Sequence, residues 1–232
     1  MEYNSCYGNR TSWTKSQTVK AYIKSSKKSK NPDRFVVNKV KKIYFGLGDD
    51  PKSRLIKSFQ DSFSNIIKGL GYVSGDVAEL TPHRAAYGYL ELLNGEAEYD
   101  AIEWRTFEVS SEKEQAVIVK DIPFYSFCEH HILPFWGKVS VGYLPNKEVV
   151  GLDKIPKLVS AVAHNLQLQE RITNQIADVL EEKLQPLGIG VIVEANHMCV
   201  CARGIKSDCQ TRTSLFLGEF KKNESYQNMF YK

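Results

Sequence analysis

A chain of 232 residues with 42% hydrophobic and 25% charged side chains has the composition of a globular protein with one well-cored domain and an appendage. No apolar run approaches the roughly 18–20 residues of a membrane span, and the first residues, MEYNSCYGNRTSW, lack the apolar core of a secretory leader. A cytoplasmic protein with reduced thiols is expected, so Cys6, Cys128, Cys199, Cys201 and Cys209 are candidates for metal binding or catalysis rather than for disulfides.

The formal net charge of +4 is unevenly spread: residues 1–42 hold eleven Lys/Arg against two Asp/Glu, which leaves the remainder at −5. Residues 1–50 read as a basic, solvated and partly disordered extension, with Lys24–Pro32 (KSSKKSKNP) as its most polar stretch. Such an arm could also touch nucleic acid or an acidic partner. Regular patterning begins after Asp50. Across Lys52–Leu70, Leu55, Ile56, Phe59, Phe63, Ile66, Ile67 and Leu70 recur at helical spacing, and Gly71 stands where a left-handed cap is usual. Thr81-Pro82 announces a second helix, with the hydroxyl as N-cap, running through Ala85, Ala86, Tyr89, Leu90 and Leu93 to Gly95. The polar segment Asn94–Ser111 reads as an irregular connection, completing a helical region over 51–111.

The rhythm then changes. Ala116–Ile122 reads as a strand, and Val139, Val141 and Tyr143 alternate with Lys138, Ser140 and Gly142 in another, broken by Pro145-Asn146-Lys147. Two helices follow, one striped by Ile155, Leu158, Val159 and Val162, the other by Ile172, Ile176, Val179, Leu180 and Leu184. Strands are expected at Ile189–Ala195, at His197–Arg203 and near Ser214–Leu217. This order predicts an α+β domain over 112–232, an antiparallel sheet with helices on one face.

The chemistry concentrates in Cys128-Glu129-His130-His131 and His197-Met198-Cys199. Thiolate and imidazole suit a borderline-soft ion such as Zn²⁺ better than magnesium or calcium. Cys128 and His131 on a turn can point at one centre, and His197 and Cys199 would share a strand face. Cys201 would lie on that face too. Spacing therefore allows a closed four-ligand structural site or a three-ligand catalytic site with a position for water, and the surplus histidines favour the latter.

The motifs CEHHILPFWGKVSVGYLP, VVGLDKI, LQLQERITNQIADVL, GVIVEANHMCVCARGI and TRTSLFLGEF resemble, in order and spacing, those of the GTP cyclohydrolase I family. The likeness is close over about Asp121–Phe220 and weaker at Thr81-Pro82-His83-Arg84. It implies the tunnelling fold, in which small antiparallel sheets backed by two helices join edge to edge into barrels and rings pair into homodecamers with active sites between subunits. It also implies conversion of GTP to 7,8-dihydroneopterin triphosphate and formate. Water adds at C8 of the guanine, the imidazole ring opens, C8 leaves as formate, and the ribose rearranges and closes on the opened base. Carried over by position, Cys128, His131 and Cys199 would bind zinc with Cys201 outside the shell, while His130 and His197 would move protons. Gln169 and Glu170 would read the guanine, and Lys154, Arg203 and Arg84 would meet the triphosphate.

Two residues depart from the family pattern. Asp153 stands where serine is usual, and Lys157 where arginine is usual. Asp153 could simply cap the following helix as serine would. Alternatively, the pair weakens GTP binding, shifts substrate preference, or marks a silent regulatory subunit, because Lys157 lacks the bidentate fork and Asp153 adds a negative charge. A pterin synthase or a nitrile reductase of queuosine synthesis would share the fold; the reductase reading needs a nucleophilic cysteine and nicotinamide and does not account for a three-ligand zinc set.

Overall fold

The chain crosses itself in long antiparallel strands because residues 117–144 and 188–218 are rich in β-branched and aromatic side chains with few breakers. In the computed structural model, which describes residues 51–109 and 115–231, five strands form one sheet in the order β5–β2–β3–β6–β7. These are β2 (Val117–Cys128), β3 (Pro134–Leu144), β5 (Leu166–Gln167), β6 (Gly188–His197) and β7 (Gln210–Gly218). All neighbours are antiparallel except β2 and β5, which pair in parallel at Phe127–Leu166 and Cys128–Gln167. A bulge interrupts β2 between Val119 and Ile122, where Asp121 takes a left-handed φ of 55°. The basic extension 1–50, with Cys6, lies outside the described residues. Residues from Ile56 to Lys232 cluster as one compact unit.

Helices α5 (Lys154–Ala163) and α6 (Gln169–Leu184) cover one face of the sheet. Their stripes bring Ile155, Leu158, Val159, Ile172, Ile176 and Leu180 to full burial with Val139, Val191 and Val193 of the central strands. Each such aliphatic side chain stabilises the fold by roughly 1.5–3 kcal/mol relative to exposure. This is the expected α+β arrangement. The other face carries a smaller core with no counterpart in the sequence reading. There Phe220, in α8 (Glu219–Lys222), and Phe230, just past α9 (Glu224–Asn228), pack with Leu144 and Ile192. Gly142 and Gly190 oppose each other across β3 and β6 and leave the socket that the Phe230 ring fills; a Cβ on either would stand 2.7 or 2.6 Å from that ring.

The helical layer begins with α1 (Pro51–Gly69), close to its expected span. Gly71, at φ 92°, ends it as expected: its N–H donates to the Lys68 carbonyl at 2.9 Å and that of Tyr72 to Ile67 at 3.2 Å. Thr81 does not cap α3 (Thr81–Glu91). The short α2 (Asp76–Glu79) runs straight into it, so Leu80 occupies the N-cap and Thr81 is already helical, without a capping bond. Two elements occupy the segment expected to be irregular: α4 (Gly95–Asp100) and β1 (Thr106–Glu108), the latter paired with β4 (Glu148–Val150). Their partners are distant in sequence. Gly95 donates its N–H to the His164 carbonyl at 2.9 Å, and Glu98 receives Ser160 Oγ at 2.7 Å and faces His164 Nδ1 at 2.6 Å. Local pattern cannot show such contacts.

Candidate metal centre and active site

Cys128 ends β2, and a tight turn returns the chain to β3. Ile132 takes a left-handed φ of 52°, and its N–H donates to the Cys128 carbonyl at 2.8 Å, while Cys128 N–H donates to Leu133 at 2.9 Å. The turn brings His131 back beside Cys128, with Nδ1 4.0 Å from Sγ. The third donor arrives differently from the sequence expectation. β6 ends at His197, and Met198–Cys201 forms one helical turn, α7, instead of continuing as a strand. His197 and Cys199 therefore do not share a strand face; the turn swings Cys199 round.

Donor atoms of Cys128, His131 and Cys199 all lie within 4.8 Å of one another, and Cys201 is not in this group. Tetrahedral zinc, with sulfur at about 2.3 Å and nitrogen at about 2.0 Å, separates its ligand atoms by roughly 3.5–3.8 Å. Drawing the three inward by about 1 Å makes the set fit such an ion. Cys128 is buried, Cys199 half-buried and His131 exposed, so one side stays open. Burial, followed by the neighbouring Cys128, pushes the Cys199 thiol up, while Arg203 pulls it down. A metal ion at this point would supply the positive charge that favours the thiolate at Cys199, against the burial and the neighbouring Cys128 that disfavour it.

One candidate proton carrier, His130, contacts this group, and the other, His197, stands two residues before Cys199. His130 is exposed, its Nδ1 3.9 Å from Cys128 Sγ. His197 is half-buried, and its ring stacks on Phe135 at 4.6 Å and 7°. Burial lowers the His197 pKa from its ordinary value, and the Glu170 carboxylate opposes that shift. Register sets up the stack, because Phe135 and His197 are paired residues of β3 and β6.

The proposed substrate residues separate into distinct situations. Glu170 is exposed at the start of α6 with its field on His197, whereas Gln169 is buried and bonded on all sides. Arg203 is exposed and its charge reaches Cys199. Arg84 is exposed on α3. Lys154 and Lys157 both bond Asp153, at 3.1 and 2.8 Å. Asp153 occupies the N-cap position of α5 but makes no capping bond, and its backbone is already helical. The capping account therefore fails. Lys157, then Lys154, hold the Asp153 carboxyl below its ordinary pKa.

Sequence reasoning passed over one contact at this site. Arg171 Nη1 donates to Glu129 Oε2 at 2.7 Å, tying the first turn of α6 to the turn that carries His130 and His131. The Glu129 N–H donates to Gln167 at 3.1 Å, fastening the same turn to β5. Both charges stood inside the quoted motifs, but nothing local pairs residues 42 apart.

A sequence model of the family described as GTP cyclohydrolase I matches residues 59–232. A GTP cyclohydrolase 1 of Campylobacter jejuni (strain RM1221) is 43% identical over 179 residues, covering 75% of this chain and 93% of that protein. One of Bacteroides thetaiotaomicron is 42% identical with 75% and 91% covered. A Lactococcus lactis subsp. cremoris protein, the bifunctional protein FolKE, is 40% identical over 197 residues; these span 84% of this chain but only 50% of that protein. A solved archaeosine synthase of the QueF-like type, in its apo form, covers 44% of this chain and 95% of its own at 17% identity, with a TM-score of 0.34.

Proposed function

The chain belongs to the GTP cyclohydrolase I family, and from that premise we propose that it opens the guanine ring of GTP, giving 7,8-dihydroneopterin triphosphate and formate. The observation that carries this reading is the convergence of Cys128, His131 and Cys199 on one open-sided point. Cys128, His131 and Cys199 would hold a zinc ion there, which would lower the pKa of a bound water toward neutrality. The protein's own groups do the rest. Glu170, exposed at the start of α6, accepts hydrogen bonds from the N–H edge of guanine, and adenine would leave it unpaired. Lys154, Lys157 and Arg203, with Arg84, meet the triphosphate, and Asp153 must give up its lysines when they do. His130 and His197 carry protons to and from the purine and the sugar as C8 departs and the ribose recloses.

The proposal includes the assembly. The sheet has the composition of a tunnelling-fold subunit, with its helices on one face and, among the described residues, unpaired outer edges along β7 and along β2 beyond its two-residue pairing with β5. Edges of this kind call for cover, and a homodecamer built edge to edge supplies it. We read 51–111 as a helical region, 112–232 as the catalytic domain and 1–50 as a basic extension. No helix among the described residues is long and apolar enough to cross a membrane. A cytoplasmic setting keeps Cys128 and Cys199 reduced and able to take metal. The product suits pterin, folate or 7-deazaguanine synthesis.

The Asp153 ion pairs favour one second reading, a family member weakened toward GTP or serving as a regulatory subunit. One experiment separates the two. The full chain, loaded with zinc, is incubated with GTP while formate and pterin fluorescence are followed. Both products appearing together supports the enzyme; zinc retained without turnover supports the second reading.

A further inference from the structure

Gln169 was expected to touch the substrate, but its side chain is 3% exposed and turned into the protein. Its Nε2 donates to the Val193 carbonyl of β6 at 2.9 Å and to the Thr211 carbonyl of β7 at 3.0 Å. Two carbonyl oxygens can be met only by an NH₂ group, so this pair fixes which end of the amide is nitrogen. The amide oxygen is thereby aimed the other way, and it lies 2.8 Å from His197 Nε2. An amide oxygen only accepts, so the hydrogen in that bond belongs to the imidazole. Neighbours hold both partners still. Thr173 Oγ1 donates to the Gln169 backbone carbonyl at 3.0 Å and meets Thr213 Oγ1 at 2.7 Å, while the Phe135 ring fixes the plane of His197.

We propose that Gln169 is a positioning residue that holds the His197 ring in one orientation, with the ring hydrogen on the Nε2 that faces the Gln169 oxygen. The inference rests on the reading of His197 as a catalytic group and names what holds its ring in place. Turning the ring over, or moving its hydrogen to Nδ1, would leave the Gln169 oxygen buried and unmatched, because both strand carbonyls prevent the amide from turning with it. An exposed histidine has no such restraint.

The test is solid-state NMR on full-length, zinc-loaded protein labelled with ¹³C,¹⁵N-histidine, the His197 signals being those lost in His197→Phe. In the neutral ring, the nitrogen bonded to Cδ2 should carry the hydrogen and the nitrogen bonded to Cγ should be bare, as a single set of signals. Hydrogen on the Cγ-bonded nitrogen, or two sets of comparable intensity, would overturn the proposal. Gln169→Leu, which removes the acceptor, should add the second set and lower kcat by roughly tenfold or more with KM for GTP little changed. A raised KM at unchanged kcat would mean that Gln169 binds substrate, and the proposal would fall. If that variant does not fold, the wild-type spectrum decides alone. A wild-type protein that does not turn over GTP would sink the proposed activity, while the spectrum would still support or overturn the locked ring.

Discussion

Replacing Gly137 by alanine should uncouple the two strands that carry the site. Gly137 lies in β3 opposite Ala195 of β6, two residues from the Phe135–His197 pair. A Cβ at this position would stand 1.8 Å from the Glu194 carbonyl oxygen and 2.8 Å from the Ala195 Cα. Both neighbours are backbone inside a ladder, so no side chain can swing away, and the strands must part by roughly 1 Å or more. Overpacking of this kind costs about 1–3 kcal/mol, and a backbone collision belongs at the upper end. At about 3 kcal/mol, Tm should fall by roughly 6–12 °C for a chain of this size. The displacement falls between the turn holding His131 and the end of β6 leading to Cys199. Misplacing reacting groups by about 1 Å costs on the order of 10²-fold in rate. The assay is calorimetry, zinc content and GTP turnover on the same preparation. Gly88→Ala provides the control: Gly88 lies inside α3 with nothing within 4 Å of an added Cβ, so that change should stabilise by up to about 1 kcal/mol. A Gly137→Ala protein with unchanged Tm and full zinc would refute the reasoning, since the β3–β6 spacing would then be slack.

Single alanine replacements of Cys128, His131 or Cys199 should each remove the one zinc expected per chain, whereas Cys201→Ala should keep it; metal analysis reads both outcomes, and loss from Cys201→Ala would move the ligand set. Arg171→Ala frees the Glu129 turn and should weaken zinc binding by roughly 10–100-fold, with Arg171→Lys partly restoring it, as measured by competition with a chromogenic chelator; equal affinity in all three proteins would make the pair decorative. Asp153→Ser releases Lys154 and Lys157 and should lower KM for GTP by up to about tenfold with kcat little altered; a KM that does not move would discard competition between Asp153 and the phosphates. Lys157→Arg in that background should give a further, non-additive gain if both residues grip one anion.

Much of the fold was legible because its signals are local. The stripes on α5 and α6 and the run of α1 up to Gly71 are set by spacing and by one left-handed glycine, and both read directly from neighbouring residues. Where reading by pattern failed, a competing partner had intervened, sometimes close in sequence and sometimes distant. Thr81 lost its capping role because α2 delivers a ready-made helical turn ahead of it. Asp153 gave up capping for two lysines, one of them a full helical turn away. The second core, with Phe230 seated over Gly142 and Gly190, joins the end of the chain to two strands by contacts that no periodicity records.

The sequence by itself determined the chemistry available here: soft donors in two short clusters, imidazoles beside them, and the order of helices and strands between. Those follow from residue type and short-range spacing, which backbone geometry converts into local structure. Only the tertiary structure decided which donors converge, because β6 stops at His197 and a single turn of α7 brings in Cys199 and leaves Cys201 out of the group. It also decided that Gln169 serves the sheet and His197 while Glu170, one residue on, remains exposed. The reason is physical: a helix turns about 100° per residue, so adjacent side chains face different surroundings, and which of them is buried depends on what the rest of the chain packs against that helix.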